Sequence, residues 1–286
     1  MSPENKFFAS KLGSVDEAPA AFREAMTQHC LAWQNARLVA YSPSFTTLGH
    51  RLPATVLAVN GDRWLVASDD AQGKVHVDDC RFDDTLLLEL TTILLYGQLR
   101  IDFISGDGPK SSLVYFNTVM SKLYRKAVGL ILGSVDGSID RPAAACDDVA
   151  ASEVKRWPIH FSNAVPDGIV NGQQLLAVAQ WPAVTSGFRR ELAPAAALLA
   201  TDREIVLISD EQSWDTDTET KYGTVITHFP LIRLAKYELN SNERFTILAL
   251  EMHASHGGEK LETIVPSRNA GSIRGVMDRA MQWRAQ

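Results

Sequence analysis

Two stretches of this chain share one pattern of apolar and polar positions. Residues 198–209 read LLATDREIVLIS: an apolar run, a short polar break, then a second apolar run ending in Ser. Residues 56–69, VLAVNGDRWLVASD, read the same way. Two β-rich runs flanking a tight polar turn predict a β-hairpin, and Asn60-Gly61 is a strong two-residue hairpin signal. Aligning the copies through Asp62-Arg63 and Asp202-Arg203 extends the match both ways. Upstream, residues 38–43 resemble 176–182, and each is followed by a small polar loop that reaches Gly49-His50-Arg51 or Gly187-Phe188-Arg189-Arg190. Downstream, residues 113–116 and 263–266 are each followed by a segment of helical periodicity. A period of roughly 140 residues is that of a duplicated domain rather than a solenoid.

The remaining periodicity fills in the elements. Residues 1–15 read as loosely ordered, and residues 16–36 as an amphipathic helix behind the acidic pair Asp16-Glu17. After the first hairpin come an extended segment over 74–77, a charged turn at Asp78-Asp79, and an apolar series over 85–96 dense enough for strands buried on both faces. Residues 99–104 alternate as a half-buried strand, 105–110 read as a turn and 113–116 as a last strand. From the cap Asn117, Met120, Leu123, Tyr124, Ala127, Val128 and Ile131 make one helical stripe. Residues 134–171 read as a linker with a short helix. In the second copy the strands fall over 224–229, 232–239 and 245–252, a turn follows at His256-Gly257-Gly258, and a helix with Ile273, Val276, Met277, Ala280 and Met281 ends the chain. The expected class is α+β, mainly β, divided as 1–36 (tail and helix), 37–133, 134–171 (linker) and 172–286. Each repeat is expected to be a bent antiparallel sheet or partial barrel whose open end is plugged by its C-terminal helix.

The order of these elements, with LLATDREIVLIS, FPLIRLAKYEL and a helix after TIVPS, resembles the pleckstrin-homology-like (PH-like) superfold in its bacterial PH-like and GRAM-type variants. In those variants the first hairpin often carries a Thr-Asp/Asn-x-Arg turn. Here Thr201, Asp202 and Arg203 fall on it, with Arg203 one position early, while the first copy has Gly61 in place of the Thr. The resemblance covers about three-quarters of the chain. It implies two tandem units of seven strands and a helix, used for binding or scaffolding without intrinsic catalysis. Fold alone does not select a ligand.

Composition narrows the classes of function. Of the 286 residues 45% are hydrophobic and the formal charge is −6, with neither half basic, which argues against general nucleic-acid binding through phosphate neutralisation. Cys30, Cys80 and Cys146 have neither CxxC spacing nor a histidine at ligand spacing, so they read as thiols of a reducing compartment. No signal-like or membrane-spanning apolar window stands out, and a soluble cytoplasmic protein is expected.

The candidate chemistry is sparse. Residues 106–111 (GDGPKS) are not a phosphate loop, since a Walker loop needs glycine directly before the lysine and Pro109 removes an amide. His253 and His256 lack a third metal ligand, and the acidic tract 215–220 (DTDTET) lacks the glycine and distal glutamate of a calcium loop. No nucleophile elbow frames a Ser-His-Asp set. Lys122, Arg125 and Lys126 read as a solvated helix face. No catalytic residue, metal site or cofactor is assigned. The remaining ligand candidates are His50 and Arg51 in the first copy and Arg189 and Arg190 in the second, on loops resembling the basic loop of phosphoinositide-binding PH domains. The expectation is a non-enzymatic protein acting through a protein partner or self-association. Binding of an anionic membrane surface through those loops and an enzyme with an unrecognised site are the alternatives.

Overall fold

The computed structural model describes residues 8–29, 33, 35–47, 50–138, 148–170, 172–186, 191–211, 223–242 and 244–285. They are mainly β, in several antiparallel sheets with a few helices. A strand β1 (Ser10–Leu12) and a helix α1 (Ala20–His29) lead into β2 (Leu38–Ser42), the short hairpin β3 (Phe45–Thr47) and β4 (His50–Leu52), β5 (Thr55–Val59), β6 (Arg63–Asp69) and β7 (Val75–Arg81). Then come β8 (Thr85–Ile93), β9 (Tyr96–Ser105), β10 (Gly108–Asn117) and α2 (Ser121–Val135). Helices α3 (Asp148–Val154) and α4 (Ile159–Gly168) follow. The strand order then recurs as β11 (Leu175–Trp181), the hairpin β12 (Val184–Thr185) and β13 (Glu191–Ala193), β14 (Ala196–Thr201), β15 (Glu204–Asp210), β16 (Gly223–Pro230), β17 (Leu234–Ser241), β18 (Phe245–Ala254), β19 (Gly257–Pro266) and α5 (Ala270–Arg284).

The register shows how closely the copies agree. Thr85 faces Phe103 and the ladder slips before Leu87; Leu234 faces Met252 and the ladder slips before Lys236. The same bulge therefore stands at the same place, and bulges are features a fold keeps. From Thr85 and Leu234 onward the copies stay in step, without a gap, to their last helices. In the preceding hairpin Asn60 Oδ1 accepts from the N–H of Asp62 (2.9 Å) and Arg63 (3.0 Å), while Thr201 Oγ1 accepts from Arg203 (3.2 Å) and Glu204 (2.9 Å). Asn60 thus takes the place of Thr201, and Arg63 stands against Glu204. The alignment through the two Asp-Arg pairs is one residue out, because the residue whose oxygen closes the turn sets the register, not the charges after it.

The sheets are not two separate bodies. β1-β2-β5-β6-β7 and β17-β18-β19 are distinct sheets, but β8 pairs with β16, so that β10-β9-β8-β16-β15-β14-β11 form one seven-stranded sheet across both copies. Leu86, Leu87 and Leu88 are all fully buried because β8 serves two cores. Leu88 and Leu90 pack with Trp64, Phe116 and the stripe Tyr124, Ala127 and Ile131 of α2. Leu86 and Leu87 pack with Phe229, Leu250 and the stripe Ile273, Val276 and Met277 of α5. The opposite faces are covered as well. Phe22, Met26 and Trp33 lie on Val56, Ala58 and Leu65, while Phe161 and Val165 of α4 lie on Leu199, Val206 and Ile208. Burial on both faces is why these strands read as unbroken apolar runs.

Several sequence expectations need correction. Residues 10–12, within the stretch read as loose, pair with β2. Asp16-Glu17 form a separate 3-10 turn, and α1 starts only after Pro19. Asp78 and Asp79 lie inside β7, not in a turn: Asp79 pairs with Arg63 at 3.0 Å, and Asp78 accepts from Ser112 Oγ. The 105–110 turn is only Gly106-Asp107, and Pro109 is tolerated because β10 is an edge strand. The 134–171 linker contains two packed helices, and Arg125 of α2, read as solvated, is paired with Asp167 of α4.

A compensating pair offers a test. An added Cβ on Gly97 would overlap the ring of Phe116 directly opposite, whereas the second copy has Thr246 opposite Val265. Gly97→Ala is expected to lower stability by about 1–3 kcal/mol in urea denaturation. Combined with Phe116→Val it should cost less than the two single changes added together, by roughly 0.5 kcal/mol or more.

Candidate functional site

Of the four basic loop candidates, His50 and Arg51 lie among the described residues. His50 and Arg51 both lie on exposed β4, but Arg51 Nη2 pairs with Asp69 Oδ2 at 2.9 Å, and Asp69 Oδ1 accepts from the Ala54 N–H at 2.7 Å. Arg189 and Arg190 lie outside the described residues, as do Cys30, Cys146 and the 215–220 tract. His253 and His256 face different partners, Glu251 at 2.8 Å and Asp84 at 2.7 Å. Among the described residues no three His, Cys, Asp or Glu side chains are grouped to hold a metal ion. Lys110 pairs with Asp107 at 2.9 Å across its hairpin turn. Cys80 is a free buried thiol, which burial pushes up to about 12.

The best-formed site lies at the seam made by the shared sheet. A cleft of about 220 Å³ runs between the seven-stranded sheet and β18–β19. Its floor is apolar: Leu198, Leu207 and Phe229 on one side, Leu248, Leu250 and Leu261 on the other. Its polar lining comes from both copies, with Glu89 and Arg100 from the first and Thr227, Ser209, Glu262 and Thr263 from the second. The alternation of β8 and β9 places Glu89 and Arg100 opposite each other on the cleft face. Arg100 Nη1 stands 3.5 Å from Glu89 and Nη2 3.2 Å from Asp102. Thr227 donates to Glu89 at 3.2 Å and Ser111 to Asp102 at 2.6 Å. One guanidinium therefore answers two carboxylates, while Glu262 pairs with Lys260 at 2.8 Å in solvent. The mouth is left acidic. Burial raises the Glu89 carboxyl above its ordinary value, against the pull of Arg100 and the Thr227 hydrogen bond.

The first copy acts as an internal control for the cleft. There Asp78 of β7 and Ser112 of β10 occupy the positions of Thr227 and Leu261, and their hydrogen bond ties the two sheets together. Leu261 has no such group to offer, and Thr227 turns to Glu89 instead. Sequence reasoning missed this cleft. Its one local signal was Glu89, a charge inside an apolar series, but nothing local announces that a strand of the other copy will lie beside it.

A separate polar cluster is sealed in the sheet. His228 Nδ1 stands 2.9 Å from Glu204 Oε2 with both side chains 1% exposed, so the pair holds the sheet rather than facing a ligand. No protein-family model matches the chain, and comparison with curated proteins finds no match. Among the described residues no helix is long and apolar enough to cross a membrane.

Glu89 makes stability depend on pH. An acid raised by folding holds its proton more firmly in the folded chain, so its contribution is complete below the ordinary value and lost as pH rises through the folded one. Glu89→Gln is neutral throughout and should therefore gain stability relative to the parent as pH rises from about 4 to 7, as followed by urea denaturation. A difference that stays flat or shrinks would contradict the assignment.

Proposed function

We propose that this chain is a non-enzymatic binding protein of two tandem PH-like units, with the seam cleft as its ligand site. Support for the PH-like reading is the twice-used order of strands, each ending in an amphipathic helix, with a bulge repeated in register. The single observation that carries the binding reading is the cleft itself. It has an apolar floor and polar groups from both copies, in a place the first copy ties shut.

The ligand that matches these walls is a small amphiphile with an alkyl or aryl body and a cationic, hydrogen-bond-donating head. The body would displace water from the leucine floor, and the head would meet Glu89, whose carboxylate has Arg100 and Thr227 as partners among the described residues. Burying roughly 150 Å² of apolar surface is worth about 4 kcal/mol, which sets a dissociation constant of the order of millimolar before any contribution from the head. The engagement of Arg51 by Asp69 weighs against the alternative of anionic head-group binding through that loop.

n-Octylamine at low millimolar concentration should raise the melting temperature, and octanoate should do so less. Leu261→Trp, which fills the cleft from β19, should remove the octylamine shift while the unliganded variant still melts cooperatively. Equal shifts with the two compounds, or a shift that survives Leu261→Trp, would count against the reading.

A further inference from the structure

The turn joining β8 to β9 places apolar side chains where its fold does not call for them. Leu94 and Leu95 are 69% and 70% exposed, and Val119 is 67% exposed. The three stand together because Thr118 donates its backbone N–H to Leu95 O at 3.1 Å and its hydroxyl to Leu94 O at 2.6 Å. Ile93 faces Tyr96, so the turn has two central residues. Leu94 has φ +47°, and it is the one non-glycine residue with positive φ among those described. Positive φ at the first central position alone is the type II′ pattern, where glycine is preferred and a leucine is strained.

The second copy shows that the fold does not need this apolar tip. In the gapless correspondence, Leu94 and Leu95 fall on Glu243 and Arg244, and Val119 falls on Arg268. Arg244 and Arg268 are exposed there. That turn is closed instead by Asn242, whose side chain accepts from the Arg244 N–H at 2.9 Å and the Phe245 N–H at 2.8 Å. One scaffold position is therefore charged in one copy and apolar, at a cost in backbone strain, in the other.

We propose that Leu94, Leu95 and Val119 form a wedge that inserts into the interface of a lipid bilayer. The patch sits at a hairpin tip and is three residues wide, far below the 20–30 residues a side of a stable protein interface. Both carbonyls of the turn are already hydrogen-bonded within the protein, as entry into an apolar phase requires. At the base of the wedge Tyr96 and Tyr115 stack with ring centroids 6.1 Å apart, amphipathic rings suited to the head-group level. Among the described residues the flanking charges are mixed: Glu211 lies against Gly223, beside Ile93, and Lys122 is exposed in the first turn of α2. A neutral, zwitterionic surface fits them better than an anionic one. The inference is independent of the seam cleft and of the basic loops, since it rests on insertion and not on head-group charge.

Flotation of the full chain with phosphatidylcholine vesicles tests it, using the double exchange Leu94→Gly with Leu95→Ser. The parent should float, and the exchange should reduce the bound fraction at fixed lipid by roughly tenfold or more. The same exchange should raise the melting temperature, because glycine relieves the strained φ. Weaker binding with improved folding is an outcome that general damage does not produce. A parent that stays with unbound protein, or a double exchange that floats equally well, would overturn the proposal. So would a loss of self-association on the exchange in the absence of vesicles, which would assign the wedge to contact between copies.

Discussion

The pairing of β8 with β16 is the interaction on which the rest of the structure depends. Once those two strands share hydrogen bonds, β8 has a core on each face, with Leu88 and Leu90 in one and Leu86 and Leu87 in the other. The joint is then reinforced from outside the ladder. Arg233, just before the second copy's small sheet, donates to the carbonyls of Phe82 (3.0 Å), ahead of β8, and Thr85 (3.2 Å), its first residue. Burial pulls its guanidinium down, against the neighbouring Asp83 and Asp84. His256 reaches Asp84, and the Ser255 N–H reaches Asp83 O at 3.2 Å. These polar contacts fix the angle at which one copy meets the other, which the hydrophobic effect, being non-directional, cannot do.

The cleft follows from the same joint. By adding β8 and β9 to the edge of the second copy's sheet, the chain brings Glu89 and Arg100 to the side of an apolar floor they would not otherwise meet. Two buried polar sets lie nearby, each with the partners that a low-dielectric interior calls for. His228 and Glu204 are sealed together, and Glu89 and Asp102 share Arg100. Only the second of these sets opens to a cavity.

Local pattern revealed the hairpins, the strand-rich character and the amphipathic stripes of α2 and α5, because each depends on neighbours within a few residues. Asn60-Gly61 and Thr201 announced their turns, and the apolar density of 85–96 announced burial on both faces. The pattern misread Asp78-Asp79, since charges inside a strand look like a turn until Arg63 and Ser112 are known to answer them. It read α4 as linker along with the Gly-, Ser-, Asp- and Ala-rich stretch before it, although Phe161 and Val165 supply its buried face. The site was illegible for a deeper reason. It is assembled by a strand pairing between residues far apart in the chain, and nothing in either strand names its partner.

The joint is heterologous: the strand that closes the large sheet of the second copy meets the first strand of the small sheet of the first. Its two mates, β7 and β17, are thus left at the ends of the array, each at a sheet edge. In the joint, Thr227 lies opposite Glu89. Another molecule docked head-to-tail in that register would set Asp78 of β7 against Glu238 of β17, two like charges directly across a ladder. That pair of like charges opposes the endless ribbon into which such a tandem could in principle polymerise.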